Sequence, residues 1–411
     1  MKATTDVIVV GSGPCGSFSA FTLTKLGAKV VVYEEHEKVG VPSHCTGHLS
    51  LSGLRRLGLL PLPTKVVENE FRGAVFFSLS GKGFSVRFGS PVTCVVNREL
   101  FDRHLAELAV KAGAEYCLGA RAESIVSESG VVKGIVASRR GVKETVTSNM
   151  VIDAEGVSSV LLKKTGLLRT LNRSMVVNAV EAELDKVEDV NTDTVEIYLG
   201  RKYAHGLFAW IVPRRDSSAK VGLAVKTGDP RTHLHQFMHN HPVASKKLRR
   251  SKIVKLSVHP IPLGGPIPRT YSNGLLVVGD AASQVKPTTG GGVVVGLLCS
   301  RVAGEIAYEA VKNNEFSEAF LSRYESRWKR LVGFDLTAMR HARGLFDCLS
   351  DNKIDELISF CARLGINRIL EEAGDLDFQG RSLVRMVRHP AVPTVALYFL
   401  LSSLTSQYQP L

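Results

Sequence analysis

The stretch DVIVVGSGPCGSFSAFTLTKLGAKVVVYE, residues 6–34, decides the fold. It begins with a short apolar run at 6–10 and contains a second one at 29–33, and both have the length and composition of buried strands. Between them lie a glycine-rich motif of the form G-x-G-x-x-G at 11–16 and a helical stretch at 17–26. The order strand, glycine loop, helix, strand predicts a Rossmann-like βαβ unit.

The glycines and the acid of this unit have distinct physical roles. Gly11 permits the tight turn, Gly13 lets the backbone approach a pyrophosphate, and Gly16 lets the helix and strand pack closely. The amides at the helix N terminus attract phosphates. Glu34 follows Gly16 by 18 positions, where a carboxylate accepts hydrogen bonds from ribose hydroxyls. Together these residues predict a dinucleotide site.

Three further segments indicate which dinucleotide binds. Residues 97–102 (NRELFD) begin an amphipathic helix, residues 151–156 (VIDAEG) are a strand running into a turn, and residues 275–282 (LLVVGDAA) are a strand that ends in Gly-Asp. A triple glycine at 290–292 then precedes another helix. With the first motif, these segments resemble the flavoprotein superfamily that has the para-hydroxybenzoate hydroxylase fold, over roughly residues 5–300.

The resemblance implies FAD as the cofactor and assigns residues to it. Arg98 is expected to contact the ribityl or pyrophosphate portion of the flavin, and Asp280 to bind ribityl hydroxyls. The backbone amides of the triple glycine, which includes Gly291 and Gly292, are expected to face the pyrimidine edge. Taken singly, Arg98 is also compatible with a surface position and Asp280 with an ordinary helix cap.

Two segments resemble one branch of this superfamily, the geranylgeranyl reductases. Residues 40–47 (GVPSHCTG) resemble a loop that carries a cysteine near the flavin, and residues 208–213 (FAWIVP) resemble the family's aromatic-x-Trp-x-Phe-Pro strand. Trp210 and Pro213 match that pattern, whereas Phe208 replaces a tyrosine. The resemblance implies that Phe208, Trp210 and Pro213 contact a prenyl substrate. A tryptophan in the sheet core is the alternative for Trp210.

The same loop supplies the catalytic candidates. Cys45 and His44 are expected beside the flavin, where either group is able to donate a proton. Cys45 is alternatively a gate for the substrate, or the disulfide partner of Cys299, which follows the triple glycine. A small packing residue without chemistry is the remaining possibility.

The predicted fold class is α/β (α+β), with a Rossmann-like FAD-binding domain interleaved with an antiparallel-sheet substrate domain and a helical C-terminal region. We expect the FAD-binding domain over residues 1–165 with an inserted β segment at 66–96, and a return to it at 270–310. The substrate domain is expected at 170–265, and the helical region at 313–411.

Alternating patterns place strands within these regions. Residues 194–199, 206–213 and 220–225 are expected to form three antiparallel strands. A hairpin is expected at 76–79 and 84–88, on either side of a Ser-Gly-Lys-Gly turn.

Charge and composition limit the partners. The 411 residues include 52 Lys and Arg against 39 Asp and Glu, for a formal net charge of +13. Seven cysteines without paired spacing exclude a disulfide scaffold and a zinc ribbon. Residues 231–257 contain seven basic residues and no acidic one, which indicates either a solvated face or attraction to anionic lipid headgroups. No aromatic side chains alternate with these basic residues, so nucleic acid is not expected.

Two other segments raise alternatives. Four histidines between 233 and 241 lack the spacing of a closed metal site, and no metal is predicted. The apolar tail at 391–401 is too short to span a bilayer, and it is expected to pack in the core or to dip into a membrane. No signal peptide is recognised, so we expect a cytoplasmic protein with peripheral membrane contact.

These features predict an FAD-dependent reductase that saturates isolated double bonds of geranylgeranyl chains, in membrane ether lipids or their prenyl precursors. An external electron donor is required, NADPH or ferredoxin. One alternative is a flavin-dependent monooxygenase or halogenase of the same fold, since halogenases have a similar Trp-x-Ile-Pro strand. The second alternative is a prenyl-binding protein without catalysis.

Overall fold

The structure is a computed structural model that describes residues 5–167, 175–373 and 376–387. The strands are β1 (Thr5–Val10), β2 (Val30–Tyr33), β3 (His48–Ser50), β4 (Val67–Phe71), β5 (Gly73–Phe77), β6 (Gly83–Arg87), β7 (Thr93–Val96), β8 (Glu115–Cys117), β9 (Ala120–Glu128), β10 (Val131–Arg139), β11 (Val142–Asp153), β12 (Val176–Asp185), β13 (Thr194–Tyr198), β14 (Gly206–Pro213), β15 (Ala219–Val225), β16 (Lys252–Pro262), β17 (Tyr271–Ser272) and β18 (Leu275–Val277). The helices are α1 (Pro14–Leu26), α2 (Leu51–Arg56), α3 (Arg98–Lys111), α4 (Val160–Lys164), α5 (Arg201–Ala204), α6 (Pro230–Asn240), α7 (Ala244–Leu248), α8 (Val293–Asn313), α9 (Glu318–Trp328), α10 (Phe334–Asp347), α11 (Asp351–Arg363), α12 (Ile366–Ala373) and α13 (Gln379–Val387).

The predicted βαβ unit forms the centre of the first sheet. β1 pairs in parallel with β2 on one side and with β11 on the other, and β11 pairs in parallel with β18. Helices α1, α3 and α8 pack over this sheet around one apolar core. Because the four strands are parallel, their carboxyl ends lie at one edge, where ligands bind in open α/β sheets.

The second sheet contains seven strands in the order β16-β12-β15-β14-β13-β5-β6. The three strands predicted between 194 and 225 are confirmed as β13, β14 and β15, and they pair antiparallel. The sheet is not wholly antiparallel as expected, because β5 pairs in parallel with β13. The predicted hairpin is present as β5 and β6, a few residues earlier than expected, and it extends this sheet beyond β13.

The remaining elements are a small third sheet and a group of C-terminal helices. β3, β4 and β7 form a three-stranded sheet. The helical C-terminal region is confirmed over the described residues by α9 to α13, whereas the tail at 391–401 lies outside them. Within the part of the chain that the structure describes, no helix has the length and apolarity needed to cross a bilayer. The domain boundaries stay predictions.

Candidate active site

A cavity of about 1020 Å³ lies between the carboxyl edge of the first sheet and one face of the second. Its wall includes the ends of β1, β2, β11 and β18 on the first side. On the second side it includes residues of β5, β12, β13, β14 and β16, and helices α10 and α13 also contribute. Both halves of the predicted site therefore meet in one space.

The glycine loop after β1 forms one end of the cavity. Gly13 lies on its wall with a φ of −61°, and a Cβ added there would have no heavy atom within 4 Å. No side chain caps the N terminus of α1, so its first amides remain available to a ligand. Gly11 also lies on the wall, at a φ of +94°. Gly16 does not line the cavity, because it packs beneath Gly11, whose oxygen would lie 1.9 Å from a Cβ at Gly16.

The Glu34 carboxylate is buried beside this loop. Its Oε2 accepts hydrogen bonds from the amide and the hydroxyl of Ser12, each at 2.8 Å. Its Oε1 accepts the amide of His36 at 2.9 Å and faces that residue's Nδ1 at 2.6 Å. Burial raises the pKa of Glu34, but these hydrogen bonds outweigh it and the net pKa is lowered. The group is therefore an ionised acceptor on the cavity wall.

Arg98 and Asp280 lie on the wall between the two sheets. The Arg98 guanidinium forms a two-bond contact with Asp102, with Nε–Oδ1 and Nη2–Oδ2 distances of 3.0 Å. This contact fixes the arginine in the first turn of α3, which is capped by Asn97. Burial raises the pKa of Asp280, and the Arg98 charge partly offsets that effect.

The triple glycine forms the turn that leads into α8. Gly291 and Gly292 lie on the cavity wall, and no side chain caps the helix. A Cβ at Gly292 would lie 2.9 Å from Asp280 Oδ1, so the turn and the carboxylate approach each other closely. The cavity thus has a second uncapped helix terminus as well as the one at α1.

The loop at 40–47 places His44 and Cys45 on the same wall. The His44 ring stacks on His259 of β16 with a centroid distance of 5.2 Å. Burial lowers the pKa of His44, and it lowers the pKa of His259 to about 4 with help from the neighbouring His44 and Arg98. Both rings are consequently neutral near pH 7.

Cys45 is exposed to the cavity and accepts a weak hydrogen bond from the Gly47 amide at 3.5 Å. The alternative in which Cys45 pairs with Cys299 is wrong, since all seven cysteines are described and all are free. Cys299 is a fully buried residue of α8 in the apolar core, where its thiol neighbour is Cys15.

The other half of the cavity wall is apolar. Phe208, Trp210 and Val212 occupy alternate positions of β14 and line it, with the first two rings in edge contact at 6.0 Å. Trp210 is also part of a buried cluster, so it serves both as wall and as core. Pro213 does not reach the cavity, because the strand's alternation turns it to the other face, where its carbonyl accepts Asn69 Nδ2 at 3.1 Å.

The wall residues that the sequence did not predict include three with polar side chains that bear on the chemistry of the site. Glu181 of β12 and His259 of β16 lie on strands that we did not predict. Lys286 precedes the triple glycine and forms a 3.0 Å ion pair with Asp377. Acids at alternating positions among apolar residues, as in VVNAVEAELD at 176–185, were the available signal for Glu181.

The basic segment is divided by the fold. Its residues belong to α6, α7 and the start of β16. Lys247 is largely buried and pairs with Glu196 at 2.5 Å, whereas Lys246, Arg249 and Lys252 are exposed. The histidines diverge, with His241 buried and His235 stacked on His239 at 4.1 Å.

The polar end of the cavity fits a dinucleotide. The open space at Gly13 and the uncapped N terminus of α1 suit a pyrophosphate, and the carboxylates of Glu34 and Asp280 suit sugar hydroxyls.

Comparisons with known proteins agree with this assignment. A family model described as FAD binding domain matches residues 4–327. Digeranylgeranylglycerophospholipid reductase of Methanocaldococcus jannaschii is 34% identical over 354 residues, covering 86% of this chain and 89% of that protein. Digeranylgeranylglycerophospholipid reductase 2 of Methanopyrus kandleri is 32% identical over 371 residues, covering 89% and 92%.

Solved structures share the fold over nearly the whole chain. A geranylgeranyl bacteriochlorophyll reductase-like protein from Thermoplasma acidophilum has a TM-score of 0.85 at 26% identity, covering 97% of this chain and 99% of that one. A flavin-dependent brominase has a TM-score of 0.73 at 19% identity, covering 98% and 99%, and this likeness concerns the fold alone.

Proposed function

This chain belongs to the FAD-binding domain family and is related to digeranylgeranylglycerophospholipid reductases. On this basis, we propose that it is an FAD-dependent reductase of geranylgeranyl chains in membrane lipids. The observation that carries the proposal is the single cavity, which has a dinucleotide-binding end and an apolar end. A flavin at the first end and a prenyl chain at the second would share one water-poor space.

The apolar end suits an unactivated alkene. Such a bond has no carbonyl to polarise, so catalysis depends on positioning and on exclusion of water. Strands β5, β13 and β14 supply aromatic and branched side chains to the wall. These are Phe76, Val195, Ile197, Phe208, Trp210 and Val212. We infer that Phe208 and Trp210 hold the chain, whereas Pro213 supports the strand from behind.

We infer that the polar end holds FAD through Gly11, Gly13, Glu34, Arg98 and Asp280, with Gly16 keeping the loop packed. The amides at Gly291 and Gly292 begin α8, and the positive end of that helix favours the negative charge of a reduced flavin. Bound FAD supplies the hydride once an external electron donor has reduced it.

His44 and Cys45 are proposed to touch the flavin or the reacting bond from the loop at 40–47. The stacking of His44 on His259 fixes this part of the wall. Because burial lowers the pKa of His44, its ring is a poor proton donor near neutral pH.

We further infer peripheral contact with an anionic membrane. The outer half of β16 exposes Ile253 and Val254, with exposed fractions of 53% and 62%. Lys252, on the same strand, and Lys246 and Arg249, which immediately precede it, are exposed as well. The inner half of β16 lines the cavity through His259 and Ile261. One strand therefore runs from a basic, apolar surface to the site where a lipid chain would react.

An anaerobic single-turnover experiment tests the function. The flavin is photoreduced, a geranylgeranyl-chain ether lipid in detergent is added, and flavin reoxidation is followed with analysis of chain saturation. We expect both to occur together. A protein that binds the lipid without reoxidation would be a prenyl-binding protein, and aromatic halogenation under oxygen and halide would instead indicate a halogenase.

A further inference from the structure

Glu181 is an acid on an otherwise apolar stretch of wall. On β12 the alternate residues Val180, Ala182 and Leu184 face a fully apolar core, while Ala179 and Glu181 face the cavity. The residue is partly buried, and taking a carboxylate out of water is costly unless it is neutral or paired. Its position therefore calls for a chemical explanation.

The contacts of Glu181 favour the neutral acid. Its Oε2 is hydrogen-bonded to the Thr46 hydroxyl, in the loop that carries Cys45. Among the described residues, no Lys, Arg or His nitrogen lies within 4 Å of its carboxylate oxygens. Burial raises the pKa of Glu181, and the more distant Lys220 charge and the Thr46 hydrogen bond only partly offset this.

Two acids near Glu181, Glu68 and Glu183, form ion pairs with basic side chains. Glu68 forms an ion pair with Lys220 at 2.7 Å, and Glu183 forms one with Arg214 at 3.0 Å. Lys220 also donates to the backbone carbonyl of Thr46 at 3.0 Å, which fixes the loop against Glu181. Lys220 and Arg214 are thus paired with other acids, which leaves Glu181 without an ion-pair partner among the described residues and favours its protonated form.

A second, polar cavity of about 60 Å³ adjoins the main one. Glu181 and Cys45 lie on the walls of both. Its other lining residues are Ser43, Glu68, Asn97, Arg98, Glu99, Glu183, Lys220, Lys255 and Ser257. A polar space of this size holds about two water molecules. The half-exposed Lys255 side chain on its wall marks the way to solvent.

Resting on the proposed reductase function, we propose that Glu181 is the proton donor of the reaction and that the small polar cavity returns its proton. FAD, once reduced by two electrons from an external donor, would supply hydride to one alkene carbon. Glu181 transfers its carboxylic proton to the other carbon, and two C–H bonds form as the C=C π bond is lost. The resulting carboxylate is reprotonated by a proton that enters from solvent and is relayed through water in the small cavity.

The pH response of Glu181 depends on the charged groups that face it. These are Glu183 on its own strand, Lys220 on β15, Arg98 on α3 and the Thr46 hydroxyl. Lys220 and Arg98 favour ionisation, whereas Glu183 and burial oppose it. The reduction rate is expected to fall as pH rises through the raised pKa of Glu181.

The test compares Glu181→Gln with Asp185→Asn, which removes an exposed acid from the same strand and lines neither cavity. In anaerobic single turnover with geranylgeranyl ether lipid, we expect Glu181→Gln to keep bound FAD and to lose about a hundredfold or more in reoxidation rate, the usual effect of one proton-transfer group. We expect Glu181→Asp to recover part of the rate, and Asp185→Asn to remain within about tenfold of the wild type.

A second readout reports the proton itself. Infrared pH-difference spectra of the holoprotein are expected to show a carboxylic-acid band that titrates at higher pH than an ordinary glutamate, whose pKa is about 4.3. That band is expected to vanish in Glu181→Gln and to persist in Asp185→Asn. If the wild-type protein and Glu181→Gln reduce the lipid equally fast, only the Glu181 proposal is overturned. A wild-type protein without lipid reduction overturns the proposed function instead.

Discussion

Gly13→Val removes flavin binding without disturbing the fold. Gly13 has a φ of −61°, which every L-residue adopts, and a Cβ there meets no heavy atom within 4 Å. The new side chain would therefore enter the cavity beside the uncapped first turn of α1. Replacement of an N-cap glycine by valine costs about 1 kcal/mol of stability. Valine at Gly11 or Gly16 would not test flavin binding, because the new Cβ would clash with neighbouring backbone atoms and disturb the fold itself.

The expected loss of affinity follows from the displaced phosphate. If the valine blocks two amide–phosphate hydrogen bonds, each worth about 1.5–3 kcal/mol, binding weakens by about 3–6 kcal/mol. That corresponds to about two to four powers of ten in Kd. Gly344→Val is the matched control, since this exposed glycine of α10 also has no heavy atom near its Cβ and does not line the cavity.

FAD per chain is measured by absorbance after dialysis, and Kd by titration of the flavin-free proteins. The melting temperatures of the flavin-free forms are expected to agree within about 4 °C. Stoichiometric FAD in a folded Gly13→Val protein, at a Kd within tenfold of the wild type, would refute the assignment of this loop to the pyrophosphate.

Three further outcomes are expected. Cys45→Ala is expected to keep its FAD and to reduce prenyl lipid within about tenfold of the wild-type rate, because we propose Glu181 as the proton donor. A hundredfold loss of rate would instead indicate that the Cys45 thiol is the donor. Changing Lys246, Arg249 and Lys252 together to Gln weakens binding to anionic vesicles at low salt by about a hundredfold, at about 1 kcal/mol per cation, and the same changes at exposed Lys25, Lys111 and Lys312 do not. His241 is buried, with Nε2 3.2 Å from the Ser78 carbonyl and Nδ1 accepting two amides, and burial lowers its pKa from 6.5 to about 4. The unfolded chain therefore binds the proton at higher pH than the folded chain, and the free energy of unfolding decreases as pH falls from about 6.5 to 4. In His241→Asn, the free energy of unfolding measured with denaturant should decrease by about 3 kcal/mol less over this range.

Local patterns predicted the dinucleotide end well. β1, α1 and β2 follow from a few contiguous residues whose turn and periodicity are set by the chain itself. That a residue belongs to a motif did not predict whether it faces the cavity. Gly16 and Pro213 belong to motifs, yet both lie behind the wall, since packing and strand alternation decide the exposed face.

Features that depend on distant partners were not predictable. Lys247 was read as part of a basic segment, but it pairs with Glu196, 51 positions away. Glu181 lies on a strand whose apolar neighbours reveal alternation but not which face meets the cavity. Its role emerged only when β12, β15 and the loop at 40–47 were brought together in space.

The position of β16 at the end of its sheet has a consequence for handling the protein. Its outer edge presents unpaired backbone groups beside the exposed Ile253 and Val254. An apolar edge of this kind is a template for pairing with a second chain, and lysines on an edge strand oppose such aggregation. Lys252 and Lys255 occupy that place here, so we expect the charge on this strand to oppose edge-to-edge association in water.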